Sequence, residues 1–157
     1  MALISLLILL IGVEMPTINR SALVMHSVDQ MFTLINDVLK YPLFVPDCAD
    51  SKIIQQDEHS MTASLLVSKG GVKKWFTTQN TYKTANKVTL ELVDGPFKYL
   101  KGAWHLTPLS EEACKIDFEI DYEFSSKVLD FAFGKIFSQL TNNMVKSFTE
   151  RAKEVYS

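Results

Sequence analysis

The stretch from Cys114 to Phe124 reads CKIDFEIDYEF, and it leaves little freedom in how this chain folds. Cys114, Ile116, Phe118, Ile120, Tyr122 and Phe124 are apolar, while Lys115, Asp117, Glu119, Asp121 and Glu123 between them are charged. A strand sends successive side chains to opposite faces. The alternation therefore predicts an antiparallel strand with one dry face and one wet face. From Ser126 the apolar period changes from two to 3.6. Leu129, Phe133, Ile136, Phe137, Leu140, Met144, Phe148 and Val155 fall on one arc, with Lys135, Ser138, Asn142, Lys146 and Lys153 opposite. This predicts one amphipathic helix of roughly thirty residues, about 45 Å long. Only Gly134, close to its start, interrupts good helix formers. A one-sided sheet and a one-faced helix each need a cover, and each can serve as the other's.

The remaining chain supplies further strands. Thr17 to Met25 reads as a first strand, with Ile18, Ala22 and Val24 on one face. Ser27 is a good N-cap, and a helix follows to about Leu39 with Met31, Leu34, Ile35 and Val38 on one side. Pro42 and Pro46 in YPLFVPDC (41–48) oppose a regular helix or a central strand, which predicts a stiff connector. Strands are expected at Ser51–Gln56, Met61–Ser68 and Val72–Tyr82, around Val88 to Leu92, and at Tyr99–Thr107. They are separated by Lys69-Gly70-Gly71, a turn at 84–86, Asp94-Gly95-Pro96 and Pro108. Leu100, Gly102, Trp104 and Leu106 share one face. The fold class is therefore α+β: a curved antiparallel sheet of about six to seven strands around a long C-terminal helix, with short helices after the first strand. A sheet curled around one helix leaves a gap, and here the 41–48 connector would roof it as a ligand cavity.

A length of 157 residues suits one domain with a real core. Residues 1–14, MALISLLILLIGVE, stand apart. They are apolar but too short for a membrane span of about 20 residues, and they carry no basic region before the apolar run. We read them as an upstream extension before a start at Met15, with a single domain over 15–157. A weak membrane anchor or an atypical signal is the other reading, and the expected location is cytoplasmic or membrane-peripheral. The net charge of −2 gives no overall attraction to nucleic acid, and no DNA partner is expected. Cys48 and Cys114 lack metal-site spacing and read as reduced thiols, with one disulfide as the alternative.

No nucleophile sits beside a base, and no phosphate loop or metal spacing occurs. His26, His59 and His105 are scattered, and the carboxylates of 117–123 lie on the wet face, poorly placed for tuned acid–base work. The expectation is a non-enzymatic binding protein with no required cofactor. Candidate cavity residues are Phe44 and Pro46 in the roof, Phe97 and Tyr99 at the mouth, and Trp104 in the wall. Phe118, Tyr122, Phe137 and Met144 are lining or core. Trp75 and Phe76 are adjacent, so one of them must face outward. Lys69, Lys73, Lys74, Trp75, Lys98 and Lys101 form a candidate RNA-facing surface of basic residues with an aromatic among them. A solvated hairpin edge guarded by lysines is the plainer alternative.

The order of elements resembles the helix-grip fold of the START and polyketide-cyclase-like superfamily. Three segments resemble one branch of it: YPLFVPDC (41–48), LVDGPFKYLKGAWHLTPL (92–109) and AFGKIFSQLTNNMVKSFTERAKEVY (132–156). They are similar to the coenzyme-Q-binding family and its bacterial branch, the ribosome association toxins, and the likeness spans 15–157. Asp47 departs from the small or aromatic residue frequent in that family. The resemblance implies two functions. One is binding of ubiquinone or another prenyl lipid in the cavity, in support of respiratory electron transport. The other is binding of the large ribosomal subunit, which blocks subunit association and translation initiation, with a small antitoxin-like neighbour as a further partner.

Overall fold

The computed structural model describes residues 17–157, so the assignment of 1–14 as a leader lies outside the described residues. The strands are β1 (Thr17–Val24), β2 (Cys48–Gln56), β3 (Ser60–Lys69), β4 (Val72–Thr81), β5 (Lys87–Asp94), β6 (Phe97–Ser110) and β7 (Ala113–Phe124). The helices are α1 (Val28–Asn36), α2 (Tyr41–Phe44), α3 (Lys127–Asn142) and α4 (Met144–Tyr156), with a 3-10 turn over Val38–Lys40. One antiparallel sheet runs in the order β1-β7-β6-β5-β4-β3-β2. The first strand thus docks on the last, and everything between is a meander of hairpins.

Strand β7 behaves as its alternation requires, with all six apolar residues buried. The β3–β4 hairpin turns on Gly70 (φ 59°) and Gly71 (φ 85°), a conformation glycine adopts without a steric penalty. The sheet bends at bulges. The registers leave Ala49, Ile54, Val93, Lys98 and Leu109 without an opposite residue. Each bulge adds local twist and turns the strand, which is how a sheet of this length curls over its helices. Ile54, Val93 and Leu109 are apolar yet exposed for this reason.

Four expectations need correction. The 41–48 connector contains a short helix, α2. Pro42 lies in its first turn, where the missing N–H would have no intrahelical partner. Pro108 does not end its strand. The Leu106 N–H donates to Asn86 O on the β5 side, so Pro108 faces that same side beyond the start of β5, where no ladder bond is lost. The preceding helix stops at Asn36 rather than Leu39, with the Asp37 N–H closing on Leu34 O.

The C-terminal helix is two helices, broken at Asn143 (φ −95°, ψ 0°). The cause is a run of side chains that bond back to the helix. Thr141 Oγ1 donates to Phe137 O (2.9 Å), Asn142 Nδ2 to Ser138 O (2.9 Å) and Asn143 Nδ2 to Gln139 O (2.9 Å). The apolar arc continues through the break in Met144 and Phe148, both buried, but Val155 is exposed and Ala152 takes the inward place. Trp104, Phe118, Phe133, Phe137 and Phe148 are almost wholly shut off from solvent between sheet and helices.

Candidate functional site

Helices α3 and α4 lie across the concave face of the sheet and do not fill it. A cavity of about 60 Å³ remains, bounded by α1 and α2 at one side and by the α3–α4 junction at the other. Its sheet wall includes Phe76, Leu100, Trp104 and Phe118, and its helix wall includes Phe137, Leu140, Thr141 and Met144. Trp104 packs on Phe118 with ring centroids 4.7 Å apart and on Phe148 at 5.2 Å. The wall is mostly apolar, and no charged side chain lines it among the described residues.

Polar atoms gather at one pole. Thr78 and Asn80 point inward from β4, and Thr78 Oγ1 donates to Asn80 Oδ1 at 2.7 Å. Thr141 stands at the same cavity on α3. Tyr41, on α2, is fully packed and donates its hydroxyl to Ile35 O. Burial drives its phenol far above the ordinary value, so it stays neutral. The connector does approach the cavity, but through Tyr41 and not through the residues expected.

Of the nine expected cavity residues, Trp104, Phe118, Phe137 and Met144 line it. Phe97 and Tyr122 belong to an adjoining aromatic cluster centred on Phe137, at 4.8 Å and 4.7 Å from its ring. Burial raises the Tyr122 phenol above its ordinary value, with Ser138 opposing the shift and Asp130 adding to it. Phe44 sits instead over α4, its ring 5.0 Å from that of Phe148 and its outer side 5.3 Å from the Arg151 guanidinium. Pro46 is exposed and roofs nothing. Tyr99 faces the outer surface with Thr17, Lys101 and Asp121, because the bulge at Lys98 reverses the parity between Phe97 and Tyr99. Thr78 and Asn80 went unrecognised, although one signal marks them. Once Trp75 faces outward, Phe76, Thr78 and Asn80 must all face inward.

The six basic-surface residues do not converge. Lys69 is a strut, with Nζ donating to Gln139 Oε1 (2.9 Å) and lying 3.8 Å from Asp47. That pair also explains how the connector closes despite Asp47. The residue adopts φ 67°, which aspartate tolerates better than most, and its carbonyl accepts from the Ser68 N–H. Lys101 lies opposite Asp121 and beside Glu91 and Glu119, in acidic company. Lys98 is at the far turn near Glu123 and Asp130. Lys73 and Trp75 remain together and exposed on the outer face of β4, with Lys52 Nζ 4.6 Å from the Trp75 ring centroid, whereas Lys74 is exposed on the opposite face near the hairpin end. On the outer face His105 Nε2 meets Glu119 Oε1 at 3.1 Å.

Among the described residues no three His, Cys, Asp or Glu side chains are grouped to hold a metal ion, and no helix is long and apolar enough to cross a membrane. Cys48 and Cys114 are free and buried. Burial pushes the Cys48 thiol up to about 11, a shift opposed by the Asp50 backbone hydrogen bond.

A curved sheet gripping a helix pair around an apolar space defines a helix-grip fold. The chain belongs to the polyketide cyclase / dehydrase and lipid transport family, which residues 24–149 match. It is 50% identical over 149 residues to the ribosome association toxin RatA of Escherichia coli K12, covering 95% of this chain and 94% of that protein. It is 26% identical to the mitochondrial coenzyme Q-binding protein COQ10 homolog B of Xenopus laevis, covering 94% of this chain and 62% of the relative. Among solved structures, the Zhui aromatase/cyclase from Streptomyces sp. R1128 superposes with a TM-score of 0.77 at 14% identity, over 92% of this chain and 97% of that one. At that identity the likeness is one of fold alone.

Proposed function

We propose that this protein is a non-enzymatic inhibitor of translation initiation that binds the large ribosomal subunit in the cytoplasm and blocks its association with the small one. The observation that carries the reading is the 50% identity, along nearly the whole chain, to a protein named a ribosome association toxin. The exposed group of Lys73, Trp75 and Lys52 supports it physically, since cations meet phosphates and an aromatic face stacks on bases. A small antitoxin-like protein is the expected regulator. Sucrose-gradient profiles after overexpression provide the test. Free subunits should rise, and the protein should sediment with the large one; unchanged profiles with the protein left at the top of the gradient would end the proposal.

A second reading is compatible with the first. The protein would carry ubiquinone or another prenyl lipid, supported by the apolar cavity and by the relative named for coenzyme Q binding. The cavity is well below the several hundred Å³ of a typical ligand pocket, so its walls must yield to admit such a molecule. Solvent extraction of the purified protein, followed by titration with a short-tailed quinone, should reveal prenylquinone or saturable uptake. Neither being seen would remove this reading.

A further inference from the structure

Asn80 is the one cavity residue whose chemistry exceeds what the fold requires of it. It is 9% exposed, it points inward from β4, and its cross-strand partners Met61 and Leu90 are apolar. Its Oδ1 accepts from the Thr78 hydroxyl at 2.7 Å, which leaves the amide nitrogen outside that bond. No described residue accepts a hydrogen bond from that nitrogen. A cavity-facing amide donor without a protein acceptor is less favourable there than an apolar group. An apolar residue at this position would avoid that cost, so the amide is better understood through what it can bind.

We propose that Asn80, held by Thr78, is the specificity-determining donor of the cavity, and that it selects uncharged, largely apolar molecules carrying a ketone-type carbonyl oxygen. The donor needs an acceptor, which a carbonyl supplies and a hydrocarbon does not. The absence of a charged side chain from the described lining disfavours carboxylates and phosphates, because an anion there would be desolvated without a counter-charge. Thr141 offers no competing donor, since its hydroxyl proton is committed to the Phe137 and Ser138 carbonyls of α3. Leu65 and Leu90 line the same cavity and are only half-buried, so the apolar part of a ligand has apolar side chains to lie against. Discrimination then comes from a buried polar group that only the right ligand satisfies, the arrangement by which sites reject close analogues most strongly. This inference rests on the cavity as a ligand site and is independent of ribosome binding.

The test uses Trp104, which lines the cavity, as reporter in a Trp75→Phe background. Three probes are titrated: 2-nonanone, its isostere 2-methyl-1-nonene with CH2 in place of the carbonyl oxygen, and nonanoate at pH 8. Asn80→Leu should weaken the ketone about tenfold and leave the alkene unchanged or tighter. Nonanoate should bind at least tenfold more weakly than the ketone. Parallel changes for ketone and alkene, or nonanoate matching the ketone, would overturn the role of Asn80 while leaving the cavity as a binding site. No response of Trp104 to any probe would overturn both. Circular dichroism checks folding. Should Asn80→Leu not fold, Thr78→Val decides: freeing the amide to rotate should cost the ketone about threefold, and no change would overturn the proposal.

Discussion

Single residues carry unusual weight where backbones meet. Gly102 lies in β6 opposite Ile120, and a Cβ there would sit 2.5 Å from Glu119 O and 3.3 Å from Ile120 Cα. Both are backbone atoms of β7 and cannot rotate away. Gly102→Ala should destabilise the protein by about 1–3 kcal/mol, read from urea unfolding. Cys48 links folding to pH. Its folded thiol holds its proton up to about 11, against an ordinary value of 9.0. Between these values the unfolded chain gives up the proton first, so stability falls as pH rises from 9 to 11. Unfolding curves across that range should show the decline, and Cys48→Ala should make it shallower, the remainder coming from Cys114 and Tyr41, which burial also raises. The residue scale is also where the sequence is hardest to read. Tyr99 and Asn80 change meaning with strand parity, and parity depends on the bulge at Lys98 and on which of Trp75 and Phe76 turns inward.

Secondary structure was more legible at the level of elements, because it rests on many residues at once. The alternation in β7 and the glycine turn at 70–71 survive any single irregularity. So does the cap at Ser27, whose hydroxyl accepts from the Gln30 N–H while Gln30 Oε1 accepts from the Ser27 N–H. Ser27→Ala should cost about 1 kcal/mol, measured as a shift in the denaturant midpoint without a change in slope. The helix break at Asn143 was hidden because its cause is not a proline or glycine. Three successive polar side chains prefer carbonyls of the preceding turn, and helical periodicity is blind to that. Pro42 misled in the other direction. A proline bars a helix interior yet suits a first turn, so the same residue permits α2.

For the whole molecule, the antiparallel sheet wrapped on its helices follows from the change of period at Ser126. A binding surface does not follow from composition, since lysines distant in space look alike in a list. The structure separates Lys69, tied to Asp47 and Gln139, from Lys73, exposed beside Trp75, and from Lys74, exposed on the other face of the same hairpin. If the proposed ribosome contact runs through this edge, Lys73→Glu with Lys74→Glu should lower co-sedimentation with the large subunit. The remaining association should also depend less steeply on salt. Thermal stability should barely move, because both side chains are exposed.

The docking of β1 on β7 also sets a timetable for the newborn chain. Thr17 and Asp121 are hydrogen-bonded across 104 residues of sequence. At roughly 5–20 residues per second of synthesis, the first strand waits several seconds with no partner to receive it. The hairpins β2 to β6 can assemble in that interval, whereas the sheet cannot close until β7 arrives and bridges the newest part of the chain to the oldest. Maturation of this protein is therefore gated by one late, long-range closure.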